Sequence, residues 1–474
     1  MASDRLDVCV IGAGSGGLSV AYGASHMGAK VALIERDKMG GDCLNFGCVP
    51  SKAMLAAGHA AAVVRHPQAF GIAGHEPEVD FAKVRDHIKN VIATIAPNDS
   101  VERYEGFGVR VIKAQARFVA ADEVEVGGER LKARRFVLAT GSRAMVPPIP
   151  GLDSVPFMTN ETVFENAERP AHLIVIGGGP IGCELAQAHR QLGSDVTVIE
   201  MFQILPKDDP KLVDIVRQSL LADGVRLVEG AKVASVAGTA GAIRVTVERD
   251  GTTEDVAGSH LLVAAGRVAN VEDLDLEKAG VAFERRGITV DDRLRTSNPK
   301  IYAIGDCAGG YQFTHVANYH AGIVIRNALL RLPAKVDYRA LPWVTYTDPE
   351  LAHVGLAEAA ARDKHGAQVR VLSFPYAEND RAVAERETTG LVKAVVGRRG
   401  RILGAAIVGA GAGELIHPWV LAIASGLKIG AMAQMIAPYP TLGEINKRAA
   451  GAYFTPSVFG PRMKAVVRLL ARFG

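Results

Sequence analysis

A glycine fingerprint that occurs twice constrains this chain more than any other feature. The first copy is Gly12-Ala13-Gly14-Ser15-Gly16-Gly17, directly behind the apolar run Asp7-Val8-Cys9-Val10-Ile11. The second, Gly177-Gly178-Gly179-Pro180-Ile181-Gly182, stands 165 positions later behind the apolar run 173–176. Each is followed by a helical run and a second apolar strand, at 31–34 and 195–199. Each second strand closes on an acid, Glu35 or Glu200, 18 positions past the last glycine. The spacing has a physical reading. Gly12 and Gly177 make the tight turn, Gly14 and Gly179 admit a pyrophosphate against the backbone, and Gly17 and Gly182 let helix and strand pack closely. The helix N-terminus faces the phosphates, and the acid accepts from ribose hydroxyls. Two complete fingerprints predict an α/β chain with two doubly wound, Rossmann-type dinucleotide-binding domains.

Between the two copies lies Gly40-Gly41-Asp42-Cys43-Leu44-Asn45-Phe46-Gly47-Cys48-Val49-Pro50-Ser51-Lys52. Pro50 and the Ala-rich run behind it predict a helix that starts near Cys48. A helix N-terminus and Lys52 one turn on both favour a thiolate, lowering a thiol pKa from about 8.5 towards roughly 4–7. A stabilised thiolate beside a second cysteine is the chemistry of a redox-active disulfide. By spacing alone a structural or metal-binding pair stays open, but zinc sites usually add a second Cys or Cys/His element, and none is present. Position behind a dinucleotide fingerprint favours redox chemistry.

The bulk properties bound the rest. The 474 residues carry a net charge of +3 with mixed signs, so no nucleic-acid footprint is expected. Five cysteines in this length do not make a disulfide-stapled secreted scaffold, and Cys9 and Cys183 read as buried small hydrophobes. No apolar run reaches membrane-spanning length, and a strand begins almost at once, which leaves no room for a leader and predicts a reducing, cytoplasmic setting.

The cysteine stretch resembles the active-site segment of the flavoprotein disulfide reductases, also called pyridine nucleotide-disulfide oxidoreductases, among them dihydrolipoyl dehydrogenase, glutathione reductase and mercuric reductase. Their usual pattern is Gly-Gly-Thr-Cys-x-Asn-x-Gly-Cys-x-Pro-Ser-Lys; here Asp42 replaces the Thr and should raise the pKa of Cys43. The resemblance extends over nearly the whole chain. Arg135-Phe136-Val137-Leu138-Ala139-Thr140-Gly141-Ser142 is similar to the segment that closes over FAD. Lys300-Ile301-Tyr302-Ala303-Ile304-Gly305-Asp306 is similar to the second flavin signature, with His315 and Ala317 shortly after it. The resemblance implies FAD and NAD as cofactors. It makes Cys48 the flavin-side thiolate, Cys43 the thiol that attacks substrate, Lys52 a flavin neighbour, and Glu184 the acid that pairs with that lysine. Ala116, Val233, Gly266 and Arg267 complete the implied cofactor-binding set. Glu200, followed by Met201-Phe202-Gln203 without an arginine, should accept a free 2′-hydroxyl and repel a 2′-phosphate, which favours NAD(H). Pro147, Pro148, Pro150 and Pro156 mark a linker. The implied domains are 1–148 with 269–340 for FAD, 149–268 for NAD, and an α+β dimerisation domain over 341–474, hence a homodimer.

The pattern breaks in that last domain. Relatives such as dihydrolipoyl dehydrogenase carry His-Pro-Thr-x-x-Glu, whose His is the acid–base for the attacking thiol. Here the segment is Ala437-Pro438-Tyr439-Pro440-Thr441-Leu442-Gly443-Glu444, and a phenol of pKa about 10 is a poor base at neutral pH. Mercuric reductase shares the Tyr but adds a C-terminal cysteine pair, whereas this chain has no cysteine after Cys307. His417, in a helical pattern interrupted by Pro418, reads as a helix-packing residue rather than a substitute base. At the tail, Arg462, Lys464, Arg468 and Arg472 interleave with Met463, Val466, Val467, Leu470 and Phe473 at helical spacing. Packing of that helix against the dimerisation domain is expected, with contact to anionic lipid the other reading. Three functions fit: an NADH-dependent reductase of a disulfide or soft metal ion, dihydrolipoyl dehydrogenase proper, and a partner- or membrane-docked electron-transfer flavoprotein.

Overall fold

The computed structural model describes Arg5–Phe473. β1 (Leu6–Ile11), α1 (Ser15–His26) and β2 (Val31–Glu35) form a βαβ unit, followed by α2 (Gly41–Asn45), α3 (Cys48–Arg65) and α4 (Phe81–Ile95). Then come β3 (Arg110–Lys113), β4 (Ala116–Ala120), β5 (Glu123–Val126) and β6 (Glu129–Leu138). The sheet order is β3-β2-β1-β6-β5-β4, with β1 parallel to both β2 and β6. The last residues of β6 also pair in parallel with Ile301–Ala303. Alternation along β1 and β2 makes both faces of the sheet apolar, so both must be covered. Cys9, Ile11, Ala32 and Ile34 enter one apolar cluster; Val8, Val10, Val31 and Leu33 enter another, with α1 and the helix Thr314–Ala328.

The run 109–119 is divided between two strands. It breaks at Ala114 and Gln115, after which β3 borders β2 while β4 turns back to pair with β5. β6 stops at Leu138, ahead of the turn at Gly141, and β7 (Ser142–Ala144) pairs with Arg267–Ala269.

The second fingerprint is built the same way. β8 (His172–Ile176) is parallel to β9 (Asp195–Glu200) and to His260–Val263, and the helix Pro180–Gln191 follows the glycine turn. Lys232–Thr239, Ala242–Arg249 and Thr252–Gly258 add an antiparallel meander.

The chain folds into two compact units. One comprises the described residues up to Gly177 with Ala188–Met201 and Ala231–Val336; the other comprises Gly178–Gln187, Phe202–Gly230 and the chain from Asp337 onward. The second unit holds a five-stranded antiparallel sheet in the order Pro342–Thr345, Glu350–Gly355, Ile402–Gly409, Leu391–Val396, Arg370–Pro375. Its core contains Trp419, Tyr376 and Ile407, and Trp419 Nε1 donates to Asn446 Oδ1 at 2.7 Å. Lys393, buried in this sheet, lies between Asp209 and Glu358. A buried ammonium persists only with such partners, and loss of either acid is costly.

Two expectations for this unit need correction. The helical run is interrupted just before Pro418, as expected: the short helix Ala412–Leu415 ends ahead of Ile416, and Pro418 stands in the first turn of the next helix, His417–Ala424, where its missing N–H costs nothing. His417 is therefore exposed at a helix start, with Nδ1 2.9 Å from the Glu414 carbonyl, and does not serve helix packing. The tail forms a helix, Pro461–Leu470, but every residue of it is exposed, so it is not packed against the dimerisation domain. No described helix is long and apolar enough to cross a membrane.

Candidate active site

The two fingerprint turns are superimposable in their bonding. Gly12 N donates to Ile34 O at 2.8 Å and Gly177 N to Ile199 O at 2.9 Å. Ala139 N donates to Ile11 O and Ala264 N to Ile176 O, both at 2.8 Å. Gly12 and Gly177 have φ of +104° and +113°, and a Cβ on them would meet Ala139 O at 2.3 Å and Ala264 O at 2.4 Å. Only glycine fits. By contrast, a Cβ on Gly14 would find nothing nearer than Gly41 Cα at 3.9 Å, and one on Gly179 nothing within 4 Å. These are open cradles that a side chain would fill, and they fit the pyrophosphates of two dinucleotides. Glu35 is buried and held in place: Oε2 accepts from Ala13 N at 2.7 Å and Oε1 from Asp37 N at 2.8 Å. Glu200 closes β9, as Glu35 closes β2.

The redox stretch sits on the first of these turns. Gly40 N donates to Ala13 O at 2.9 Å, Gly14 and Gly40 bridge, and a Cβ on Gly41 would lie 2.7 Å from Gly14 Cα. The glycines before Cys43 are there to let the cysteine helix touch the phosphate cradle. Cys48 is the first residue of α3, behind the N-cap Gly47. Both cysteines are thiols and hydrogen-bond each other, and Cys48 Sγ lies 3.4 Å from Thr314 Oγ1. The pair is electrostatically split. The Cys43 hydrogen bond, aided by Thr314 and the Lys52 charge, brings Cys48 down to about 6. The same bond, burial and the nearby Asp42 push Cys43 well above the ordinary thiol value.

Asp42, where relatives have a threonine, is tied into a network that the sequence did not reveal. Its Oδ1 lies 3.1 Å from Arg267 Nη2 and accepts from Asn160 Nδ2 at 3.3 Å. Arg267 Nε donates to Ser142 Oγ at 2.7 Å, and Ser142 Oγ donates to Asp306 Oδ2 at 2.5 Å. Burial raises the Asp306 carboxyl, against the opposing pull of Ser142 and Arg267. Asn270 fastens the neighbouring turn: Thr140 Oγ1 donates to its carbonyl at 2.7 Å, and its N–H donates to Gly141 O at 2.9 Å. His320 Nδ1 accepts from Gly305 N at 3.1 Å, and burial holds its imidazole near 4, so it stays neutral under Asp306. Asn160, Thr314 and His320 were missed because their only signal is proximity in space.

The remaining residues are placed as follows. His315 stacks on Phe313 with centroids 5.2 Å apart, and Ala317 packs where a Cβ on Gly305 would meet it at 3.0 Å. Ala116 is buried opposite Val126, Val233 lies opposite Val247, and Gly266 precedes Arg267 in its short strand. Gly182 is buried in the helix Pro180–Gln191. Glu184, on the same helix, is buried rather than a surface charge, and its Oε1 accepts from Tyr346 N at 2.9 Å. Tyr439 is 68% exposed and donates its phenol to Asp380 Oδ2 at 2.9 Å, which raises its pKa further. Glu444 opens the helix Glu444–Gly451.

The split between the thiols has a direct test. Alkylation of the reduced protein by iodoacetamide should follow a thiolate that is present above about pH 6 and protonated below it. Asp42→Asn should move that midpoint down, because the lost carboxylate charge had opposed the thiolate. A midpoint at the ordinary thiol value of about 8.5 would contradict the assignment.

The chain matches the family description "Pyridine nucleotide-disulphide oxidoreductase" over residues 6–321 and that family's "dimerisation domain" over residues 341–450. It is 37% identical to mercuric reductase of Lysinibacillus sphaericus over 450 residues, covering 94% of this chain and 82% of the relative. It is also 37% identical to dihydrolipoyl dehydrogenase of Geobacillus stearothermophilus, covering 94% and 95%. Among solved structures, LpdA of Mycobacterium tuberculosis is 28% identical with a TM-score of 0.87, covering 94% and 100%. The Cu(II) complex of RclA, an HOCl-induced flavoprotein disulfide reductase of Escherichia coli, is 28% identical with a TM-score of 0.84, covering 93% and 99%.

Proposed function

The chain belongs to the pyridine nucleotide-disulphide oxidoreductases, which use FAD and NAD(P)H, and on that premise we propose that it is an NADH-dependent reductase of a disulfide or soft metal ion. The observation that carries the reading is the Cys43–Cys48 pair, with opposed thiol affinities for protons, seated on the phosphate cradle. In this reading 1–148 and 269–340 hold FAD through Gly12, Gly14, Gly17, Glu35, Thr140, Gly141 and Asp306. The segment 149–268 holds NAD through Gly177, Gly179, Gly182 and Glu200, and 341–474 forms a homodimer in a reducing cytoplasm. Ile436 at 95% and Leu421 at 65% exposure are apolar surface that a second copy would cover.

When bound, FAD accepts two electrons from reduced nicotinamide and makes them available to the disulfide. The chain's own residues do the rest. Cys43 attacks one sulfur of an acceptor disulfide and releases the other half as a thiol. Cys48, as thiolate, then attacks Cys43 and frees the second half. One acceptor disulfide becomes two thiols while the Cys43–Cys48 disulfide re-forms. Lys52 and Thr314 keep Cys48 anionic, and the Asp42–Arg267 pair anchors the helix that carries Cys43. The test is steady-state oxidation of NADH against lipoamide, glutathione disulfide, Hg(II), Cu(II) and quinones. Turnover with quinones alone, unaffected by alkylation of the thiols, would contradict the proposal.

Nucleotide preference is a separate expectation. In this reading Glu200 meets the ribose 2′-position with a negative charge, and Met201-Phe202-Gln203 after it bring no arginine. NADH should therefore exceed NADPH in kcat/KM by roughly 100-fold or more. Comparable values for the two nucleotides would remove Glu200 from the ribose site.

A further inference from the structure

The C-terminal helix Pro461–Leu470 is amphipathic, charged with one sign and uncovered. Lys464, Arg468 and Arg472 recur at four-residue intervals along one side, with Arg462 in the first turn. Met463, Val466, Val467 and Leu470 follow the i, i+3, i+4, i+7 spacing along another. Their exposures are 43%, 46%, 58% and 61%, and Phe473 beyond them is 80% exposed. No Asp or Glu occurs in 445–474, so the helix has no acidic side chain of its own to balance these cations. None of the four basic residues forms an ion pair among the described residues.

We propose that this helix seats the protein on an anionic phospholipid surface. Charge complementarity selects that occupant. A second copy laid against the same face would bring the same cations and no acid, so a symmetric contact through it repels. An anionic bilayer supplies both needs at once: phosphates for the basic side and an acyl boundary for the apolar side. With the other described helices also too short or too polar to cross, the mode is lying on the surface, not spanning it. One short helix binds lipid marginally, but a homodimer presents two, and the second engagement is intramolecular. The consequence is a reductase concentrated where lipid meets water.

The experiment uses the full-length FAD-loaded protein and sedimentation with phosphatidylcholine vesicles with and without phosphatidylglycerol. The protein should sediment with the anionic vesicles only, and added salt should release it. The double variant Lys464→Glu, Arg468→Glu should partition at least about tenfold more weakly, with NADH oxidation in solution unchanged. Equal binding to both vesicle types, equal binding by the variant, or no binding at all would overturn the proposal. So would a variant that alters the oligomeric state on size exclusion without altering sedimentation, since the face would then belong to a contact between copies.

Discussion

Cys43→Ser is expected to abolish NADH-driven reduction of a disulfide acceptor, by roughly 10⁴-fold or more, while hydride transfer from NADH to FAD continues. The reason is the division of roles in the pair. In the proposed reading Cys43 is the thiol that attacks the acceptor, and its raised proton affinity means that it needs a base to do so, while Cys48 is held as the stabilised anion. In Cys43→Ser the serine hydroxyl can take over from the Cys43 thiol as hydrogen-bond donor to Cys48, which also keeps Thr314 at 3.4 Å, the Lys52 charge and the start of α3. It should therefore remain a thiolate without any reductant, and on the proposed reading, in which Cys48 is the flavin-side thiolate, the protein as isolated should show a long-wavelength absorbance. Cys48→Ser should lose the same turnover and never develop the band. Absorbance spectra during anaerobic titration with NADH separate these outcomes. Unchanged spectra in both variants would make the pair structural.

Tyr439→His should raise thiol–disulfide turnover by about 10²–10⁴-fold, the range that a positioned general base contributes. The wild-type phenol cannot take a thiol proton at neutral pH. Its hydrogen bond to Asp380 strengthens that conclusion, because a carboxylate accepting the phenolic hydrogen holds the proton on oxygen. An imidazole at the same place would titrate near neutrality and could be oriented by Asp380 or by Glu444, the first residue of the next helix. The measurement pairs rapid-reaction reduction of the flavin by NADH with steady-state lipoamide turnover, in wild type and variant. Only the second should change. Wild-type lipoamide turnover as fast as flavin reduction would show that another base already serves Cys43.

Legibility followed the distance over which an interaction acts. The βαβ units, the thiol pair and the helix start at Cys48 are set by neighbours within a few residues, so they could be read directly. The break of 109–119 into two strands could not. Nothing in its composition distinguishes a strand that continues from one that leaves for the opposite edge of the sheet. His417 was misplaced for a related reason: a proline that interrupts one helix can open the next, and only the structure puts His417 at the exposed start of a new helix.

Glycine spacing, strand alternation and the cysteine stretch determined the fold class and the location of the chemistry, because each is a local steric or electrostatic requirement that one residue type alone meets. Tertiary structure decided how the chemistry is held. Arg267 reaches Ser142 across 125 positions of sequence, and Asn160 reaches Asp42 across 118. Gly41 is a glycine because Gly14 lies against it. The basic tail forms a helix from its own spacing, yet whether that helix finds a seat on the protein depends on surfaces folded elsewhere in the chain. Pairings of this kind leave no periodic trace, since a hydrogen bond or a steric contact constrains two positions and imposes nothing on the residues between them.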